Sequence, residues 1–213
     1  MNASHDRPLP GLIRWVRPLL AATVVLSGLV ALVGLSLAAI HHTLMADPLR
    51  SSPAAVFAVE HRFRVLLTSL LVVYGVARIT TLIWLWQVYR RLQDFGVRPR
   101  LRPWMAWASW VYPIGAVVVG DISRLTPRAS GDAKPRPLNG LVTAWWVLGL
   151  TSVVLKVAAH GMDAGSQRDL LTATAYAALC GASVALLLVV RRVSALEPGA
   201  SGSEPGASTR LPI

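Results

Sequence analysis

Hydrophobic positions along the chain come in long blocks, and polar residues are confined to the stretches between them. Four blocks, 19–40, 65–86, 138–159 and 170–190, contain no acidic residue and only two cations, Arg78 and Lys156. At about 1.5 Å per residue, each is long enough to cross a hydrocarbon layer of about 30 Å as a helix. The first block exceeds the roughly 7–15 apolar residues of a signal peptide, so it reads as a retained span. A fifth block, 104–120, is also uncharged, but it is near the lower limit for a span and is interrupted by Pro113 and Gly115.

The stretches between the blocks complete the outline. Residues 1–17 are an N-terminal lead, and 18–193 form a single transmembrane domain. The connector 41–64 holds HHTLMADPLRSSP and then AAVFAVEHRF, a possible surface helix. The helix of the second span is expected to run on through Arg91 to Phe95 and to end at Gly96, a residue suited to the position after a helix. VRPRLRP at 97–103 cannot be helical throughout, because each proline biases the residue before it toward an extended conformation. A tight polar turn, 160–169, joins the last two spans. The tail, 194–213, carries EPGAS twice in a Pro-, Gly- and Ser-rich setting, and disorder is expected there.

Arginine and lysine decide between four spans and five. If 104–120 crosses, the cations outside the spans divide nine to ten, with no sidedness. If that segment enters and returns on the same side, fifteen lie on one side and only Arg50, Arg62, Arg64 and Arg168 on the other. The excess of cations on cytoplasmic loops favours the second arrangement. Tryptophan agrees, because all eight then fall in the inner half or at the inner interface, where amphipathic rings anchor. The expected fold class is therefore all-α: a polytopic bundle of four transmembrane helices plus one re-entrant or interfacial broken helix at 104–120. Both termini are expected in the cytoplasm and the protein in the plasma membrane.

Composition supports this class. The chain has 54% hydrophobic and 15% charged residues, where soluble domains carry about a quarter charged, and its mean hydropathy is +0.53. The net charge of +11 sits in short connectors between apolar runs, so anionic lipid rather than nucleic acid is the expected counter-charge. Cys180 is the single cysteine, which rules out an internal disulfide.

Trp84 through Gly96, then Trp110-Val111-Tyr112-Pro113, then Trp145-Trp146 opening the next span, resemble an actinobacterial membrane family known as domain of unknown function 4328. Its members show an aromatic span end, an arginine-rich strip ending near Leu-Gly, a W-F-x-P element and a double Trp in the following helix. The resemblance covers roughly 65–150, with the outer spans matching in hydropathy alone. Arg91 stands where the family usually has Asn, and AVVVGD at 116–121 lacks the family's downstream Arg-Pro-aromatic element. The resemblance implies a multi-pass membrane protein and brings no established activity.

Few residues suggest chemistry. Arg78 lies near the middle of a span, where a charge costs about 2.5–3.5 kcal/mol and should face protein or water. It is either an anion or headgroup site, with Asp121 as a nearby partner, or a structural donor to backbone carbonyls freed around Pro113 and Gly115. Arg90, Arg91, Arg98, Arg100 and Arg102 could hold anionic lipid of the inner leaflet at about 1 kcal/mol each, or serve only to set topology. His41, His42, Glu60, His61 and His160 fall together at the outer face, where solvated side chains are the simpler reading than a metal or haem site. Ala173, Ala177, Gly181 and Ala185 form a small-residue ridge that could pack within the bundle or against a second copy.

No catalytic constellation, cofactor motif or soluble domain is visible, so an enzyme is not expected and neither a cofactor nor nucleic acid is implied. The expected role is structural or interactive, through a cytoplasmic Arg/Trp surface that contacts anionic lipid or a partner protein. One alternative is a small permease or permease subunit using Arg78 beside the broken helix. Another is a haem- or metal-binding redox protein.

Overall fold

The computed structural model describes residues 10–47, 53–94, 139–163 and 165–194, together with Arg102, Val117 and Asp121. Four long helices account for nearly all of them: α1 (Pro10–Ala46), α2 (Pro53–Asp94), α3 (Asn139–His160) and α4 (Ser166–Ser194). Every one is long and apolar enough to cross a membrane, and there is no strand among the described residues. The protein is an all-α polytopic bundle. Each expected span falls on one helix, save Leu138, which lies outside the described residues. Most of segment 104–120 and the tail lie outside the described residues, although Val117 and Asp121 are helical.

The first two helices are longer than the apolar blocks suggest. The expected surface helix AAVFAVEHRF is not separate; it is the beginning of α2, which runs unbroken over 42 residues. Pro53 is its first residue, the position where a missing N–H costs a helix nothing. No glycine or proline follows until Gly75, so nothing stops the helix on its way into the span. Likewise His41 and His42 belong to the last turns of α1, not to a loop. Pro18 lies inside α1 on an exposed face. After α3 the chain turns at Gly161, whose N–H reaches back to the Val157 and Ala158 carbonyls at 3.3 and 3.2 Å. This is how free carbonyls at a helix C-terminus are commonly satisfied.

Neighbouring helices run antiparallel, and the direct neighbours are α2 with α1, α1 with α4, and α4 with α3. The backbones of α2 and α3 nowhere approach within 8 Å. Two apolar clusters hold the bundle. One draws on all four helices: Val16 and Leu20, Trp84 through Tyr89, Val142 and Trp145, and the last turns of α4 from Ala182 to Val193. The other contains Val30, Ala31, Leu70, Tyr176 and Leu179, and no residue of α3 belongs to it. The bundle is thus closed at the end carrying the tryptophans and wedged open beside α3 at the end carrying the histidines. Lipid gives no hydrophobic drive for helix association, so close packing must hold these helices together. One close approach, of α1 to α4, is at Gly34, where an added Cβ would sit 3.2 Å from the Ala173 Cβ.

Candidate functional site

Arg78 is half-buried within its span, and α2 turns it inward. Its Nε donates to the Tyr74 hydroxyl at 2.9 Å, one helical turn back along the same face. The guanidinium lies 5.2 Å from the centroid of the Tyr74 ring and 5.6 Å from that of Trp145 on α3. It therefore bridges the seam that the backbones of α2 and α3 leave unclosed. Cation–π contact is worth about 0.5–1 kcal/mol when exposed and about 2 when desolvated. Two rings and a hydrogen bond together match the cost of about 2.5–3.5 kcal/mol for a cation at that depth. Aromatic side chains thus hold the guanidinium, while the carbonyls around Pro113 and Gly115, expected as its acceptors, lie outside the described residues.

Asp121 comes to the same end of the bundle but meets a different residue of α2. It is 4% exposed, and its Oδ2 accepts a hydrogen bond of 2.9 Å from the fully buried Tyr89 hydroxyl. Tyr89 lies three turns, about 16 Å, from Arg78 along the helix. Asp121 is thus held at the tryptophan end of α2. On the same helix, the Trp84 indole N–H and the Gln87 side-chain carbonyl are buried without a hydrogen-bond partner. The guanidinium of Arg90 stacks over Trp86 at 5.7 Å, with its side chain exposed. Arg102 is exposed, and Arg91 belongs to the last turn of α2. Gly96, Arg98, Arg100, Trp110 and Pro113 lie outside the described residues.

Charge is divided unevenly between the two ends. At the tryptophan end, Arg14 and Arg17 of α1, Arg90 of α2, and Arg191 and Arg192 of α4 are all exposed. Trp15, 67% exposed, stands among them. At the histidine end, Arg62, Arg64 and Arg168 are offset by Asp47, Glu60, Asp163 and Asp169. There His41 of α1 pairs with Asp169 of α4, Nδ1 to Oδ2. The position suits α4, because an anion in the first turn complements the helix dipole. His42, His61 and His160 are exposed, Glu60 is half-buried, and among the described residues no three His, Cys, Asp or Glu side chains come together.

Two features escaped sequence reasoning. Tyr74, four residues before Arg78, was available from helical spacing alone. Lys156 was recognised only as a charge within a span, and its ammonium lies 4.3 Å from the centroid of the Tyr176 ring on α4. That contact joins two helices and depends on their rotation, which the sequence does not display. The small-residue ridge is partly used within the chain: Ala173 faces α1, a Cβ on Gly181 would meet Leu148 of α3 at 3.0 Å, Ala185 is buried and Ala177 is exposed.

The family model for Domain of unknown function (DUF4328) matches residues 47–195. The chain belongs to that family. The DUF4328 match takes in α2, α3 and α4 and leaves α1 outside it. It extends beyond the 65–150 covered by the Trp and Arg motifs and takes in the last span, while the first span lies outside it. Of the motif residues, Trp84 and Trp145 are core members of the four-helix cluster, and Trp146 packs against it, its ring 5.2 Å from that of Trp145. The aromatic motif of this DUF4328 chain therefore sits where the bundle closes. No curated protein and no solved structure matches the chain.

Proposed function

We propose that this DUF4328 protein is a non-enzymatic membrane module whose tryptophan end faces the cytoplasm across the plasma membrane and gathers anionic lipid of the inner leaflet. One observation carries this reading. Five exposed arginines from three helices ring the tryptophan end, while charges at the other end nearly balance. Anionic headgroups attract such cations by about 1 kcal/mol for each residue near the surface. Exposed Trp15 supplies the amphipathic ring that favours the interface beside them.

The test is reconstitution of the full chain into nanodiscs from a mixture of phosphatidylglycerol and phosphatidylcholine, followed by lipid analysis of the isolated discs. Phosphatidylglycerol should be enriched above the input fraction, and the enrichment should fall with added salt. Replacing Arg14, Arg17, Arg90, Arg191 and Arg192 with glutamine should abolish it. Equal enrichment in the variant, or none in the wild type, would refute the reading.

A second reading, a small permease, is favoured by Arg78, which bridges a seam between helices whose backbones do not touch. It predicts solute flux in proteoliposomes that is lost in Arg78→Leu while folded yield is kept.

A further inference from the structure

A second intramembrane cation lies in the wedge between α3 and the outer cluster, away from the arginine ring. Lys156 is four residues from the end of α3. A lysine this near a helix end ordinarily extends its ammonium outward to the headgroups. Here the ammonium instead rests on the ring of Tyr176, which lies ten residues inside α4 and belongs to the outer core cluster. No carboxylate is paired with it among the described residues, and the four apolar spans contain none to offer.

Ser152 lies one turn before Lys156 on the same face of α3. It is 2% exposed, and its hydroxyl is buried without a hydrogen-bond partner. This is unusual for the chain, in which Ser27, Ser36, Ser69, Ser183 and Ser194 each donate to a carbonyl of the preceding turn. A helical side chain covers the turn N-terminal to its own Cα, so Lys156 extends over the turn that carries Ser152. Residues at this spacing have Cβ atoms about 5–6 Å apart. A turn further on is Gly149, where an added Cβ would meet no atom within 4 Å. The stripe Gly149–Ser152–Lys156 thus combines open space, an unused hydroxyl donor and an uncompensated cation. The electron-rich Tyr176 face occupies one side of the ammonium and repels an anion there, while the half-buried side chain keeps another side accessible.

We propose that Lys156 and Ser152 form a binding site for a small inorganic monoanion of the chloride class, entering from the histidine end and lying beside α3 near Gly149. The Lys156 ammonium supplies charge, and the Ser152 hydroxyl supplies a directed hydrogen bond. The Ser152 hydroxyl is closed off by packing, and opening it to a small ion displaces fewer side chains than opening it to a bulky lipid phosphodiester.

Chloride itself is the probe. The full-length protein, purified in maltoside detergent, is titrated with sodium chloride at constant ionic strength, sodium gluconate making up the balance, and the excess linewidth of the chlorine-35 resonance is measured. A saturable component, competed by bromide, is expected for the wild type. Lys156→Met should abolish it, Lys156→Arg should retain it, and Ser152→Ala should weaken binding about tenfold, the worth of one hydrogen bond to a charged group. Methionine is apolar and similar in length, so the variant remains suited to the membrane. Monodispersity on gel filtration verifies the folded state, and Ser152→Ala gives an independent reading should Lys156→Met fail that check. The proposal is overturned if folded wild-type protein shows no saturable component, or if the component persists in Lys156→Met or is unchanged in Ser152→Ala. Phospholipid retained by native mass spectrometry and lost in Lys156→Met, with no chloride component, would equally overturn it in favour of a lipid site.

Discussion

The contact between α1 and α4 at Gly34 offers a sharp test of the packing, because the chain provides its own control. A Cβ added at Gly34 would lie 3.2 Å from the Ala173 Cβ, 3.4 Å from the Ala173 Cα and 3.5 Å from Phe63 Cε2. One added at Gly75, within α2, would meet nothing within 4 Å. Gly→Ala at either site gains the same helix propensity, about 1 kcal/mol by measurements in water, so the difference between the variants isolates crowding. Overpacking a close contact costs about 1–3 kcal/mol, and at Gly34 two of the three neighbouring atoms belong to the short Ala173, which has no side chain to swing away. Gly34→Ala should therefore be about 1–3 kcal/mol less stable than Gly75→Ala. For a chain of this size that is a difference of several degrees in Tm, at about 2–4 °C per kcal/mol. Thermal unfolding in detergent, followed by gel filtration of the fraction remaining monodisperse, would measure it. Adding Ala173→Gly to Gly34→Ala should recover much of the loss. Equal melting temperatures for the two alanine variants would refute the close α1–α4 approach.

Three further outcomes follow from the polar contacts and the topology. Tyr89→Phe removes a hydroxyl donor from the buried Asp121 carboxylate and should cost about 1–3 kcal/mol by the same melting assay, whereas loss below a few tenths would argue against that contact. A double-mutant cycle at His41 and Asp169 should give a coupling of about 0.5–1 kcal/mol at low salt, diminishing with ionic strength, because the pair is partly exposed at two helix ends. Additive single and double variants would show that the pair is not formed. Ser130→Cys, placed in a Cys180→Ala background, should be shielded from impermeant thiol reagents in intact cells, and labelling there would reverse the sidedness inferred from the arginines.

Sequence patterning made the four-helix bundle legible because the spans are defined by hydropathy and length, both properties of contiguous residues. Helix ends were less visible. AAVFAVEHRF is polar enough to leave the membrane, yet it contains nothing that breaks a helix, so it remains part of α2 beyond the span. Arg78 was recognisable as a residue that must face protein, and Tyr74 could have been paired with it by spacing alone. Its contact with Trp145 could not, nor could those of Lys156 with Tyr176 or Asp121 with Tyr89, because each depends on how separate segments are rotated against one another. The alanine–glycine ridge illustrates the same limit. Successive members four residues apart turn by about 40° around a helix of 3.6 residues per turn, so a stripe in the sequence drifts across neighbours in space. Hence Ala173 meets α1, Gly181 meets α3, and Ala177 between them is exposed.

The two cations within the spans occupy opposite halves of one asymmetric bundle, and that difference decides what each can do. Arg78 lies toward the closed end, where all four helices share a core, and its guanidinium spans two aromatic rings from α2 and α3. Removing it would unfasten a seam with no backbone contact to take over. Lys156 lies in the open wedge, where α3 rests on α4 alone and the outer cluster contributes only Tyr176. Its charge closes no seam, and one ring offsets only part of the cost of keeping a cation below the interface. The anion proposed beside Ser152 and Gly149 would supply the remainder. A structural reading is therefore strongest at Arg78, and a binding reading strongest at Lys156.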